Sequence, residues 1–249
     1  LAPSPIYEFY CKNQMLGDNE KIAKLFADNG IQFVFTGHTH MQNINYFDTE
    51  KGNRVYDINT ASLIGYPSPI RKMELTDKEL IIKTLHPQNI KYDFGSKSYL
   101  AYSRDHFDFM LKDIVDSAAN DIDRFVEVAE CFSLHKEQSE KIKLPIHILG
   151  KLLDTLTFKK AGIVLGCKSK IAPRMYNVKL ADFIITLVRN IYSGQELYAP
   201  GTAEYDSFMA IYQRLAPIVH KIFKGSEIDD VIKGVLYDDG YPDNDAVLE

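Results

Sequence analysis

Two histidines one residue apart, His38 and His40 in Gly37-His38-Thr39-His40, are the side chains whose type and spacing best suit chemistry. A neutral imidazole offers one lone pair to a borderline divalent ion and suits Zn, Fe, Mn or Ni. Two imidazoles at i and i+2, at the end of an apolar run, can enter one crevice and share in a metal site. Gly37 is expected to let the backbone approach that site closely, in dihedrals closed to other residues. Thr36 and Thr39 are expected to hydrogen-bond the rings and fix their tautomers. By spacing alone the pair is a weak signal, and two satisfied loop histidines are the competing reading.

The elements around the pair sharpen it. Asp18-Asn19-Glu20 offers a helix N-cap, and Ile22, Leu25 and Phe26 form an apolar stripe beside Ala23 and Ala27. Gly30 follows where a left-handed C-cap glycine belongs. Ile31 to Thr36 then reads as a buried strand ending at the histidine turn. A hairpin is expected from Ile44 to Thr60, turning at Glu50-Lys51-Gly52-Asn53, and a second from Ile70 to Leu85, turning at Thr76-Asp77-Lys78.

The period changes near Gly95. Ser103 is expected to cap one long helix carrying Met110, Ile114, Ala118, Ile122, Phe125, Ala129 and Phe132. A shorter apolar segment spans Pro145 to Phe158. Asn177 is expected to open a further helix, Thr202 another with a kink at Pro217, and Ser226-Glu227-Ile228-Asp229 the last. The fold class expected is α+β: residues 1–95 of helix-and-strand character, then a helical domain over 96–249.

The stretch Phe33-Val34-Phe35-Thr36-Gly37-His38-Thr39-His40 resembles the final GHxH block of the calcineurin-like metallophosphoesterases. In that family a helix and an apolar strand lead into the block. An asparagine, antiparallel strands and a Ser/Pro/Tyr loop follow it, as Asn59-Thr60-Ala61-Ser62 and Gly65-Tyr66-Pro67-Ser68-Pro69 do here. The likeness covers about residues 1 to 90. It implies that 1–95 is the C-terminal half of an α/β metallophosphoesterase sandwich. It also implies that His38 and His40 each ligate one of two adjacent divalent ions (Mn, Fe or Zn), and that the substrate is a phosphoester, either a small molecule or a phosphoprotein. Two other classes that carry HxH fit less well. Metallo-β-lactamase-like hydrolases need HxHxDH, where Gln42 and Asn43 stand here, and amidohydrolase barrels alternate strands with helices.

The family's DxH, GDxxD and GNH[DE] blocks do not occur in this sequence, and Gly17-Asp18-Asn19 lacks the second Asp of GDxxD. The catalytic residues are therefore expected upstream of Leu1, and the polypeptide alone is expected to be inactive. The opening Leu1-Ala2-Pro3-Ser4-Pro5 has no Met, and the final Leu248-Glu249 suits either a native end or the scar of a cloning site. The rival reading is a non-enzymatic helical interaction module with a vestigial phosphoesterase segment. The helical domain is expected to cap the cleft, to bind substrate or to mediate self-association.

The other titratable groups read as structural. His86, His106, His135, His147 and His220 have no His or Cys partner at ligand spacing. Lys159, Lys160, Lys168, Lys170 and Arg174 read as a solvated loop, with steering of anionic substrates as the alternative. The acidic tail from Tyr237 to Glu249 lacks the order of an EF-hand loop and reads as solvated. Tyr198, Tyr205, Phe208 and Tyr212 read as helix packing. A net charge of −5 gives no basic field for nucleic acid, and no apolar run is long enough to span a membrane. Cys11, Cys131 and Cys167 form no disulfide framework, which suits either a reducing, cytoplasmic setting or a protein that does not depend on disulfides.

Overall fold

Helix α1 (Asn19–Asp28) closes with the geometry its sequence asks for. Gly30 takes φ 80°, its N–H donates to the Ala27 carbonyl, and the Ile31 N–H reaches back to Phe26 at 2.9 Å. Those are the two bonds of a Schellman cap, and a side chain at Gly30 would oppose its positive φ. At the other end Asp18 occupies the N-cap position, but with φ 56° and no capping bond from its carboxylate.

The computed structural model describes residues 1, 15–131, 136–222, 227–238, 240 and 242–249, and its class is α+β. The strands are β1 (Phe33–Thr36), β2 (Asn43–Asp48), β3 (Arg54–Asn59), β4 (Ile70–Leu75), β5 (Leu80–Leu85) and β6 (Ala246–Leu248). After α1 come helices α2 (Tyr99–Asn120), α3 (Ile122–Cys131), α4 (Lys136–Thr155), α5 (Phe158–Val164), α6 (Leu180–Ser193), α7 (Ala203–Ile222) and α8 (Ile228–Gly234). The chain forms two compact units. One comprises Leu1–Phe107, Val188–Leu197 and Asp229–Glu249, and the other Asp108–Leu187 and Tyr198–Ile228.

In the first unit, β1, β3 and β2 make one sheet in that order, with β1 parallel and β2 antiparallel to β3. Alternation along β3 sends Val55 to one face, packed with Ala23 and Ala27 of α1, and Tyr56 and Ile58 to the other. There they join Ile44, Leu80, Ile82, Ala246 and Leu248, so the second sheet, ordered β4-β5-β6, packs on the first. The layers are helix, sheet, sheet. Both expected hairpins form: Thr49 N–H bonds the Asn53 carbonyl at 2.8 Å, and Thr76 N–H that of Glu79 at 2.9 Å. β1 is less buried than its apolar run suggests, because among the described residues it is a sheet edge, and Phe35 is 57 % exposed.

The long helix expected from Ser103 begins earlier and is divided. Ser98 Oγ accepts the Ala101 N–H, so capping occurs there and Ser103 lies inside α2. Asp121 interrupts the run and starts α3, its carboxylate accepting the Arg124 N–H at 3.3 Å. Phe132 and Ser226 lie outside the described residues.

In the second unit, α4 crosses α2 so closely that a Cβ on Gly150 would stand 2.7 Å from the backbone of Ala118 and Ala119. Thr202 caps α7, accepting the Tyr205 N–H at 3.3 Å, and the helix continues through Pro217. Phe183 stacks on Tyr198 at 5.6 Å and contacts Phe158 and Phe208, so Tyr198 and Phe208 of the aromatic set pack as expected, and Tyr212 is buried. Of the basic stretch, Arg174 pairs with Glu204 at 2.6 Å. Among the described residues no helix is long and apolar enough to cross a membrane.

Candidate metal centre

His38 and His40 sit at the C-terminal end of β1, in the turn that hands the chain on to β2. Both are solvent-exposed, and both take left-handed backbone, φ 77° and 61°. For a residue with a Cβ that region costs on the order of 1–2 kcal/mol, so two in three residues is a strained turn held by its surroundings.

Gly37 does not play the part expected of it. Its φ is not positive, and a Cβ there would meet only the Thr60 carbonyl oxygen at 3.9 Å, an ordinary contact. The left-handed positions fall instead on the histidines themselves. Thr36 and Thr39 also turn out to bond β3 rather than the rings. Thr36 Oγ1 donates to Asp57 at 2.5 Å, and Thr39 Oγ1 accepts from Asn59 Nδ2 at 2.5 Å.

What holds the strained turn is β3. The Thr60 N–H bonds the Thr36 carbonyl at 3.1 Å, which carries the parallel pairing to the edge of the turn. Asn59, 3 % exposed, donates through Nδ2 to both Thr39 Oγ1 and the Met41 carbonyl oxygen, closing the turn from below. The buried Asp57 accepts from Thr36. Gln42, fully buried, accepts the Ala61 N–H at 3.1 Å and donates to Thr84 Oγ1 at 3.2 Å. It thereby ties the exit of the turn to the loop after β3 and to β5.

The loop Gly65 to Pro69 is equally well anchored. Ser68 Oγ donates to the Gly65 carbonyl and lies 2.8 Å from Tyr99 Oη. His86 Nδ1 lies 2.9 Å from the Pro67 carbonyl oxygen, the structural role expected of that histidine. His106 stacks on Tyr102, their planes 4° apart.

The donor set around the turn matches a divalent ion in kind and falls short of it in number. Two exposed imidazoles are suitable nitrogen ligands. Among the described residues, however, no group of three or more His, Cys, Asp or Glu side chains comes together to hold an ion.

Asp57 and Gln42 went unrecognised from sequence. The available signal for Asp57 was a carboxylate inside the apolar strand Val55-Tyr56-Asp57-Ile58, where a charge needs a partner. Gln42 counted only as a departure from another enzyme class, although a glutamine next to a buried strand start must also find partners.

Replacement of Asn59 by Ala would orphan the Met41 carbonyl and free Thr39. We expect a loss of about 1–3 kcal/mol in urea denaturation, the cost of leaving buried polar groups unpaired. Asn59→Asp, which cannot donate, should lose a comparable amount. No protein-family model matches the chain, and no curated protein matches it in sequence.

Proposed function

We propose that this chain is part of a metal-dependent phosphoester hydrolase of the calcineurin-like class, with His38 and His40 as metal ligands. The observation that carries the proposal is the strained turn. Two exposed histidines occupy left-handed backbone at the end of a strand, and Asn59 and Gln42 brace that geometry from the interior. Backbone strain of this kind gathers at functional sites, where the surrounding structure holds it in place. The GHxH resemblance, the following asparagine and the Ser/Pro/Tyr loop point the same way. So do the helix and two sheets around the turn, which suit the C-terminal half of the family's sandwich.

In this reading each imidazole would hold one of two divalent ions, Mn, Fe or Zn, through a neutral ring nitrogen. Ions bound there supply an activated water and charge stabilisation for in-line displacement at phosphorus. This chain contributes ligand placement. Asn59 fixes the turn by its bonds to Thr39 and Met41, Thr36 ties the strand end to Asp57, and Gln42 keeps the exit of the turn in register with the Asn59 to Ser62 loop. The remaining ligands and the group that protonates the leaving alcohol would belong to the DxH, GDxxD and GNH[DE] blocks and one further His of the parent protein.

Metal analysis and a turnover assay test this directly. The 249-residue polypeptide should retain less than one equivalent of Mn, Fe or Zn and should not hydrolyse bis(p-nitrophenyl) phosphate, because two ligands leave a dimetal site open. The parent protein should bind both ions and turn the diester over. Robust hydrolysis by the polypeptide alone, or a parent without the three missing blocks, would refute the assignment.

A further inference from the structure

In the acidic segment that follows Tyr237, Asp238, Asp245 and Glu249 are exposed, but Asp243 is buried. Asp243 is 5 % exposed, and its Oδ1 accepts the Ile44 N–H of β2 at 2.6 Å. Arg71 of β4 donates to the Asp243 carbonyl at 2.8 Å, and Asn244 donates to the carbonyls of Ser193 and Gly194, at 2.9 and 3.0 Å. Asp245 accepts the Thr84 N–H at 2.8 Å and pairs with Lys83, and β6 then adds to β5. Residues 243–248 thus form a strap joining β2, β4, β5 and the end of α6.

Beneath the strap lies a second carboxylate. Glu196, just past α6, is 7 % exposed, and its Oε2 has no hydrogen-bond partner among the described residues. The charged groups facing the two acids are Asp238 from the tail and Arg71 from β4. The Lys83–Asp245 pair lies on the exposed side. Two buried acids beside a third, with one arginine among them, cannot all ionise without cost.

We infer that residues 243–248 are a pH-released strap, held while Glu196 and Asp243 are protonated and loosened when they ionise. The inference does not depend on the hydrolase reading. Burial, then repulsion from Asp243 and Asp238, pushes Glu196 up to about 9. Burial and Asp238 push Asp243 up to about 7, against the pull of the Ile44 amide and Arg71. The sign is opposite to that of a salt-bridged carboxylate. Native acids with raised pKa values hold protons that an opened chain releases. The strap is therefore most stable below the ordinary carboxylate range, and that stability declines as pH rises, until both native acids have ionised.

Hydrogen exchange on the 249-residue chain between pH 7 and 8.5, corrected for intrinsic rates, tests the strap. Protection of the Ile44 amide and of 246–248 should fall by about tenfold per pH unit, the slope for one proton released on opening. In Glu196→Gln only the shallow contribution of Asp243 near pH 7 should remain and protection should level off above it, and Glu196→Met carries the same expectation if the glutamine variant does not fold. Amides of Phe183 and Ile185 in the second unit should stay protected throughout. A flat profile in the unmodified chain, an unchanged slope in the folded variant, or an equal loss at Phe183 would each overturn the proposal.

Discussion

Replacing His38 or His40 by Ala in the parent protein should lower phosphodiester hydrolysis by more than about 10²-fold and release metal, while the fold remains. Loss of a residue that merely orients a metal ligand already costs 10–100-fold in affinity or activity, so loss of a ligand sets that range as its lower bound. Stability should move the other way. Both residues hold positive φ, and neither ring has a hydrogen bond to Thr36 or Thr39, so truncation removes no buried contact. Replacing either histidine by Gly should stabilise the metal-free chain by about 1 kcal/mol, because glycine takes left-handed backbone without penalty. Opposed changes in activity and stability mark a residue kept for function. His106→Ala, beside Tyr102, should alter hydrolysis by no more than about twofold. Parallel losses in stability and activity at His38 and His40 would instead make them structural.

The second large effect is expected at Gly194. This residue follows α6 with φ 60°, and a Cβ built on it would stand 2.5 Å from Asp243 Cβ and 3.0 Å from the Gln42 carbonyl oxygen. Gly194→Ala combines overpacking, about 1–3 kcal/mol, with left-handed strain of about 1–2 kcal/mol. The sum, roughly 2–5 kcal/mol, is a large share of the ~5–15 kcal/mol that a domain commonly has. A fall of that size in urea denaturation, with exchange protection lost first at 243–248, is the expected result. A near-neutral substitution would mean that the strap yields easily and that the close approach has no energetic weight. Because Gln42 is one of the two neighbours the new methyl meets, the variant should also disturb its bonds to Ala61 and Thr84.

What could be read from the residues was mostly what the chain decides over short distances. The Schellman cap at Gly30, the two hairpins, the Thr202 cap and the aromatic packing around Phe183 each depend on neighbours a few positions away, where propensity and turn chemistry act. Ser103 misled because Ser98, also a good cap, lies one turn earlier, and the apolar period continues through Asp121 without marking the break. The parallel partner of β1 and the strand at 246–248 were not readable, since pairing over such separations leaves no local periodicity. At the histidine turn, residue types identified the pair, but not which residue carried the strain. Left-handed backbone was assigned to Gly37 on propensity, and tertiary contacts through Asn59 moved it onto His38 and His40. The tail carried the costliest error. Its composition suggested solvent exposure, whereas Asp243 finds a backbone donor at Ile44 and Asn244 two carbonyl acceptors at the end of α6. Partners 50 to 199 residues away cannot be inferred from charge alone.

The pairing of β6 with β5, Leu80 opposite Leu248 and Ile82 opposite Ala246, also bears on the order in which the molecule assembles. Synthesis runs from the N-terminus, so β1 to β5 emerge long before the strand that completes the second sheet. During that interval Leu80 and Ile82 lack part of their core, and β5 presents an open edge to other chains. The second unit is drawn from residues 108–187 and 198–228, all of which precede β6, and can form while the first still waits. Closing so long a loop is slow relative to local helix formation, although the added entropy grows only logarithmically with length. Refolding should therefore show the second unit's helices before β6 docks, and aggregation should peak in the interval between them.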